Sequence, residues 1–442
     1  MLRFFVIFVI LAIGLPATVS AQAVLRVVPP DGLIDEPLEI VVSNLRPAER
    51  VRIVAISPLD DHHELIAFGE FSADADGRVN VTRQASLGGT YEGIDGMGLL
   101  TSPRMEETSG ASGTFAPPQP YTVQIRVESD GRIVAKAVVT RRFVSTTVET
   151  ISVNEGGLFG RYFMPEGSGR QGAVLVLSGS EGGITSSQIN AALYASHGYP
   201  AFALAYFKAP GMNDELIEIP IEIVKRGIEW LRRRPEIAPD RIVVSGGSKG
   251  AELALVAASE FSEIHGVVAY APTFVVWPGI RRNGKTDSLS SWTLNGKPLP
   301  FVPHVANPEF TIQFQHPPPY ALRPLYEGSL ADTAAVSRAS IPVERIHGPV
   351  LLISGKQDRM IPSDAMAQKL IARLQARKHP YRFEHFSYDS AGHQISLPYL
   401  ATVPRTTTMP FSSGGTPLGY AHADVDSWQK VLEFLKTTLN PE

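Results

Sequence analysis

Ser248 stands in GGSKG (residues 246–250), a Gly-x-Ser-x-Gly run between the strand-like stretch RIVVS and the helix-like stretch AELALVAAS. At such a strand-to-helix turn, glycines flanking a serine permit a sharp bend that lifts the hydroxyl above a sheet edge. The helix starting beneath it favours developing negative charge. The five residues alone would equally suit a glycine turn whose serine caps the helix. A hydroxyl becomes a nucleophile only beside a base, and the base needs a carboxylate to orient it.

Both partners are expected downstream, acid first and histidine last, each in a loop just beyond a strand. VLLISGKQDRMIPS (350–363) places Asp358 after an apolar strand, and YRFEHFSYDSAGHQI (381–395) places His393 in a small-residue turn after another. Ser248, Asp358 and His393 therefore form the candidate catalytic set. Among the other histidines, His304, His316, His347 and His422 read as structural or rim residues, and His62 and His63 as surface residues. Acyl transfer also needs donors for an oxyanion. One is expected at the backbone N–H of Lys249, and the second at Glu181 or Gly182 in the loop SGSEGG (178–183).

Other chemistries find less support. Lys249 follows the serine and precedes Gly250, which is not the order of a phosphate-binding loop. His-Glu-x-x-His is absent, and so is Gly-x-Gly-x-x-Gly with a following acid as a dinucleotide site, so neither metal nor cofactor is expected. The chain has no cysteine, which removes disulfides, thiol nucleophiles and thiolate metal sites together. A net charge of −4 gives no reason to expect a nucleic-acid partner. Acyl chemistry makes a small molecule carrying an acyl group the expected partner.

The elements that must position these residues fall into two patterns. From 24 to 147, about seven short alternating runs separated by turns such as DADGR and ESDGR read as an immunoglobulin-like β-sandwich. Within it, residues 88–118 are rich in Gly, Pro and Ser and show no periodicity. From 148 to 442, strands alternate with helices, which predicts a mostly parallel sheet covered on both faces. LFGRYFMPEGSGR (158–170) suits two edge strands, and residues 272–310 an insertion over the active site. Met1-Leu2-Arg3, FFVIFVILAIG and AQA at 21–23 read as a signal peptide over residues 1–23. That predicts an exported protein, periplasmic or extracellular, with no membrane span in the mature chain.

Stretches such as DEPLEIVVSNL, GTYEGIDGMGLL, LVLSGSEGG, GGSKGAELAL, SSWTLNGKPLP, YDSAGHQI and GGTPLGYAHADVDSWQKVLEFL together resemble the acyl-CoA thioesterase and bile acid-CoA:amino acid N-acyltransferase family. The resemblance covers nearly the whole chain, and its export signal would make this an exported, bacterial-type member. It implies an immunoglobulin-like domain followed by an α/β-hydrolase domain. It also implies Ser248 as nucleophile, Asp358 as acid and His393 as base. Amidating members use cysteine as nucleophile, so the serine resembles the hydrolytic members. The resemblance further implies that Tyr91, Glu92 and Met97 lie beside the active-site entrance. A thioesterase or esterase is thus the leading expectation. Transfer to an amine or alcohol, or a binding protein on a hydrolase scaffold, are the alternatives.

Overall fold

The computed structural model describes residues 22–108, 115–167, 169–281, 283, 286–402 and 410–439, so the expected signal peptide lies almost wholly outside the described residues. The N-terminal strands are β1 (Val24–Val28), β2 (Asp31–Leu33), β3 (Glu39–Ser43), β4 (Arg50–Pro58), β5 (His63–Ser72) and β6 (Val79–Asn80). A one-turn helix, α1 (Gly98–Thr101), precedes β7 (Arg104–Glu107), β8 (Tyr121–Ser129) and β9 (Arg132–Arg142). They form two sheets, ordered β1-β3-β6 and β2-β9-β8-β4-β5-β7. Alternation explains the packing. Val123, Ile125 and Val127 of β8 point inward, where they meet Ile40 and Val42 of β3 and Ile53 and Ala55 of β4. Asp130 and Gly131, with φ of 48° and 72°, make the β8–β9 hairpin turn that ESDGR predicts.

Two details differ from the sequence reading. GRVNVTR contributes only the two residues of β6. The stretch 88–118, which shows no periodicity, contains both α1 and β7. RMEE is fully exposed and pairs with β5 at the sheet edge, so no buried face imposes a pattern on it.

The rest of the chain builds around one eight-stranded sheet. It comprises β10 (Val148–Glu155), β11 (Leu158–Pro165), β12 (Gln171–Leu177), α2 (Thr185–Ser196), β13 (Ala201–Leu204), β14 (Ile219–Pro220), α3 (Glu222–Arg232), β15 (Ile237–Gly247), α4 (Lys249–Glu260) and β16 (Val267–Tyr270). A long excursion follows with β17 (Pro278–Ile280), β18 (Thr286–Ser290), β19 (Trp292–Leu294), β20 (Lys297–Pro298), α5 (Pro308–Ile312), α6 (Arg323–Ser329) and α7 (Thr333–Ala339). The chain then closes with β21 (Val350–Gly355), α8 (Ser363–Ala376), β22 (Phe383–Tyr388) and α9 (Pro417–Leu439). The sheet order is β10-β11-β13-β12-β15-β16-β21-β22, antiparallel across its first three strands and parallel thereafter. Instead of two edge strands, residues 158–170 hold one interior strand, because β10 takes the edge.

The interior strands β12, β13, β16 and β21 are apolar on both sides because each side meets a different helix layer. Leu175 and Leu177 of β12 and Val244 of β15 join the core beneath α3, α4 and α8. Val174, Val176 and Val243 join the opposite core with α2 and α9. This is an α/β-hydrolase-like fold. The N-terminal region docks on the α2/α9 face: Ile34 and Phe143 enter that core, and the Asp35 carboxylate accepts from Trp428 Nε1 at 2.9 Å. Among the described residues no helix is long and apolar enough to cross a membrane.

Candidate active site

Ser248 occupies the single residue between β15 and α4, with φ 53° and ψ −117°. That left-handed conformation is unusual for a residue with a side chain and marks a strained turn. Its side chain makes no capping hydrogen bond to α4, so the bland reading of a helix-capping serine does not describe it. The flanking glycines have a different task from the serine. A Cβ on Gly246 would lie 2.4 Å from the Gly250 carbonyl, and one on Gly250 would lie 2.3 Å from Ser178 O. The motif therefore needs glycine because three backbone segments crowd together, while the serine itself takes the positive φ.

His393 Nε2 lies 3.0 Å from Ser248 Oγ, and His393 Nδ1 lies 2.8 Å from Asp358 Oδ2. The structure thus brings together three residues separated by 145 and 35 positions in the chain. Asp358 is fully buried, and donors serve both of its oxygens. Oδ1 accepts from the N–H groups of Met360 (2.8 Å) and Ile361 (3.0 Å), and Oδ2 accepts from Ser363 Oγ (2.6 Å). Those bonds hold the carboxyl group in the orientation that faces the imidazole. The loops bearing acid and base are tied to residues 413–414, through an Asp358–Gly414 bridge and a 2.8 Å bond from His393 N to Ser413 O. Burial alone would push His393 down, but the charge and hydrogen bond of Asp358, helped by the charge of Glu181, hold it above the ordinary 6.5.

The loop after β12 lies directly against the start of α4. Tyr206 Oη donates to the carbonyls of Ser178 and Gly179, each at 2.8 Å, and fixes that loop. Gly182 N–H is engaged with Gly179 O at 3.3 Å and closes the turn. The Glu181 carboxylate is held in turn by Gly179 N–H and the Ser186 hydroxyl. Lys249 N–H is in the first turn of α4, where no intrahelical acceptor exists.

The expected entrance residues have the following surroundings. Met97 is 6% exposed in the N-terminal core, and its Sδ accepts from Leu38 N–H at 3.1 Å. The Tyr91 ring packs against the same core and over Gly98, where a Cβ would meet it at 2.5 Å. These two side chains pack into the N-terminal core, and Glu92 is exposed on the same loop. Sequence reasoning also missed Ser363, which sits at the start of α8, and the buried Glu252. A lone glutamate within the apolar run AELALVAAS was a usable signal for the latter. A second Ser-His-Asp grouping, with Ser354 Oγ 2.7 Å from His385 Nε2 and 3.3 Å from Asp364, holds a fully buried serine, so it is a structural network. The insertion expected over 272–310 is only the first part of an excursion from β16 to β21, and it is anchored at its base by the buried Trp277 and Trp292.

A family model described as "BAAT / Acyl-CoA thioester hydrolase C terminal" matches residues 219–441. A second, "Acyl-CoA thioester hydrolase/BAAT N-terminal region", matches residues 35–155. The chain is 29% identical over 438 residues to the Mus musculus bile acid-CoA:amino acid N-acyltransferase, covering 95% of this chain and 99% of the relative. It is 28% identical to the mouse mitochondrial acyl-coenzyme A thioesterase 2 (92% of this chain, 87% of the relative). Identity to the mouse peroxisomal succinyl-coenzyme A thioesterase is 25% (90% and 93%). Relatives named for the mitochondrion and the peroxisome overturn the expected periplasmic or extracellular location. An apolar N-terminal run behind one arginine is a compositional signal, and composition does not fix a compartment.

Proposed function

The chain belongs to the acyl-CoA thioester hydrolase/BAAT family, and from that premise we propose that Ser248 is the nucleophile with which it hydrolyses acyl thioesters or carboxylic esters. The observation that carries this reading is the continuous chain of hydrogen bonds from Ser248 Oγ through His393 to the buried Asp358. His393 Nε2 accepts the Ser248 proton as Oγ attacks the acyl carbon. The oxyanion that forms is received by the N–H groups of Lys249 and of Glu181 or Gly182. Collapse expels the thiolate or alkoxide, which leaves with the proton from His393. Water then attacks the acyl-enzyme with His393 again as base, and Ser248 is released with the free acid. Asp358 stabilises the imidazolium that forms in both halves and keeps its proton on Nδ1.

Around this chemistry we read residues 24–147 as an immunoglobulin-like domain and residues 148–442 as the catalytic domain. Acyl-coenzyme A is the substrate class that the relatives' names support. One of those relatives is named an N-acyltransferase, which favours a second reading in which an amine replaces water in deacylation. Supplying an amine acceptor and measuring amide against free acid separates the two. Replacing Ser248 by Ala tests the central assignment: turnover of an acyl-CoA and of a p-nitrophenyl ester should fall by about 10⁴-fold or more with the fold intact. Labelling by a fluorophosphonate should disappear in the same variant. Unimpaired turnover there would remove Ser248 from the mechanism.

A further inference from the structure

The helix that follows Ser248 opens with a buried ion pair that the reaction itself does not use. Lys249 Nζ lies 3.0 and 3.2 Å from the Glu252 carboxylate oxygens, and the two side chains are 7% and 1% exposed. Nζ also donates to Ser291 Oγ at 2.7 Å and to Pro278 O at 3.4 Å. Glu252 Oε1 accepts from Trp277 N–H at 3.1 Å and from Trp292 Nε1 at 2.7 Å. Ser291 Oγ is 3.0 Å from Trp277 O and 2.9 Å from Pro278 O. All these outside partners belong to residues 277–278 and 291–292 of the excursion between β16 and β21.

An ion pair in that position is an expensive way to fill space. Desolvating two charges costs more than most pairs return, and apolar residues of similar size pack there at least as stably. The neighbours Ala251, Leu253, Ala254 and Leu255 are all fully buried and apolar. What the pair supplies and apolar packing lacks is direction, through hydrogen bonds of fixed geometry. The segment it grips carries more than itself. The Trp277 ring stacks 5.2 Å from His304 and meets Tyr326 edge-on at 4.7 Å. His304 is pushed down to about 4, mainly by burial and further by the Lys249 charge, so it is neutral and adds no charge to the group.

We propose that Lys249 and Glu252 are positioning residues of the hydrolytic site: their pair registers residues 277–278 and 291–292 against the first turn of α4. The register fixes two things relative to Ser248 Oγ, namely the Lys249 backbone N–H and the Trp277–His304–Tyr326 cluster. This inference rests on the reading of Ser248 as nucleophile and of Lys249 N–H as an oxyanion donor. A pair that served only stability would be replaceable by apolar side chains without kinetic consequence.

The test compares K249M, the double variant K249M/E252L, E252Q and S291A in the full-length enzyme, with thermal midpoint, kcat and KM for one p-nitrophenyl ester as readouts. K249M leaves a buried unpaired carboxylate and should melt well below the native enzyme. K249M/E252L should recover the thermal midpoint, yet keep kcat about 10- to 100-fold low with KM little changed, because misplaced groups lose transition-state contacts. Native kcat in that double variant overturns the proposal. Should it fail to fold, E252Q and S291A decide. A kcat reduced about two- to tenfold at a nearly native midpoint supports positioning. A kcat that falls only in proportion to the folded fraction overturns it. Ser248→Ala run in parallel keeps the two failures apart. Turnover surviving in that variant sinks the nucleophile reading, whereas normal turnover in the pair variants beside an inactive Ser248→Ala sinks only the positioning role.

Discussion

The turn at Ser248 and the loop from Tyr91 to Met97 are both tight, glycine-bearing segments that bury polar or sulfur atoms, yet they spend that burial differently. Around Ser248, buried polar atoms are paired in a directed sequence: Asp358 accepts from Met360, Ile361, Ser363 and His393, and Glu252 from Lys249, Trp277 and Trp292. Around Met97, the buried groups serve volume. The Tyr91 hydroxyl is buried with no hydrogen-bond partner among the described residues, and burial pushes its phenol up. A site that must hold charge in one orientation saturates its hydrogen bonds, whereas a core that must exclude water can leave one unmade at some cost. Family resemblance sets both segments beside the active site, and their hydrogen bonding differs in this way.

Substitutions can break the contrast from either side. Asp358→Asn should produce the largest effect, a fall of about 10⁴-fold in kcat, because the amide no longer holds the imidazole in its working tautomer. Single-turnover kinetics would check that the loss is chemical. Met97→Ala should do the converse. A cost of about 2–5 kcal/mol in denaturant unfolding is expected from the vacated core volume, with kcat per folded molecule unchanged. An altered KM in that variant would place Met97 at the entrance. Ser363→Ala removes one of the donors on Asp358 and should lower kcat about tenfold, measured with the same ester.

The smallest effect concerns pH. The imidazole must be neutral to accept the serine proton, so kcat/KM should rise with pH through an apparent pKa above 6.5 and be lost on acidification below it. Glu181→Gln keeps an acceptor for Gly179 N–H but removes a negative charge that favours the imidazolium, so the midpoint should move down. A midpoint that stays put would show that Glu181 does not influence His393.

Much of the site is legible in the amino-acid sequence. Ser248, Asp358 and His393 each stand just beyond an apolar strand, and a parallel sheet brings the ends of its strands to one edge however far apart they lie in the chain. The glycines around Ser248 are legible as a turn, although their reason is not. Crowding by Ser178 O against Gly250 is a contact between distant segments. Ser363 is hidden because a serine at a helix start has an ordinary local role, and nothing nearby shows that its hydroxyl reaches Asp358. The burial of Tyr91 and Met97 is not legible because the loop that holds them has no repeat. Their burial comes from strands β3, β4 and β8 closing over it.

By itself the sequence determined the alternation of strands and helices after residue 148, three candidate residues for acyl chemistry, and the sheet edge where they would meet. It could do so because hydrophobic periodicity and turn glycines act within a few residues. Only the tertiary structure decided the 3.0 Å approach of His393 to Ser248, the engagement of Gly182 N–H with Gly179 O, and the burial of Lys249 with Glu252. Each of those depends on which backbone atoms of remote segments are already hydrogen-bonded and which side chains are shut away from water. Neither property is carried by any one stretch of the chain.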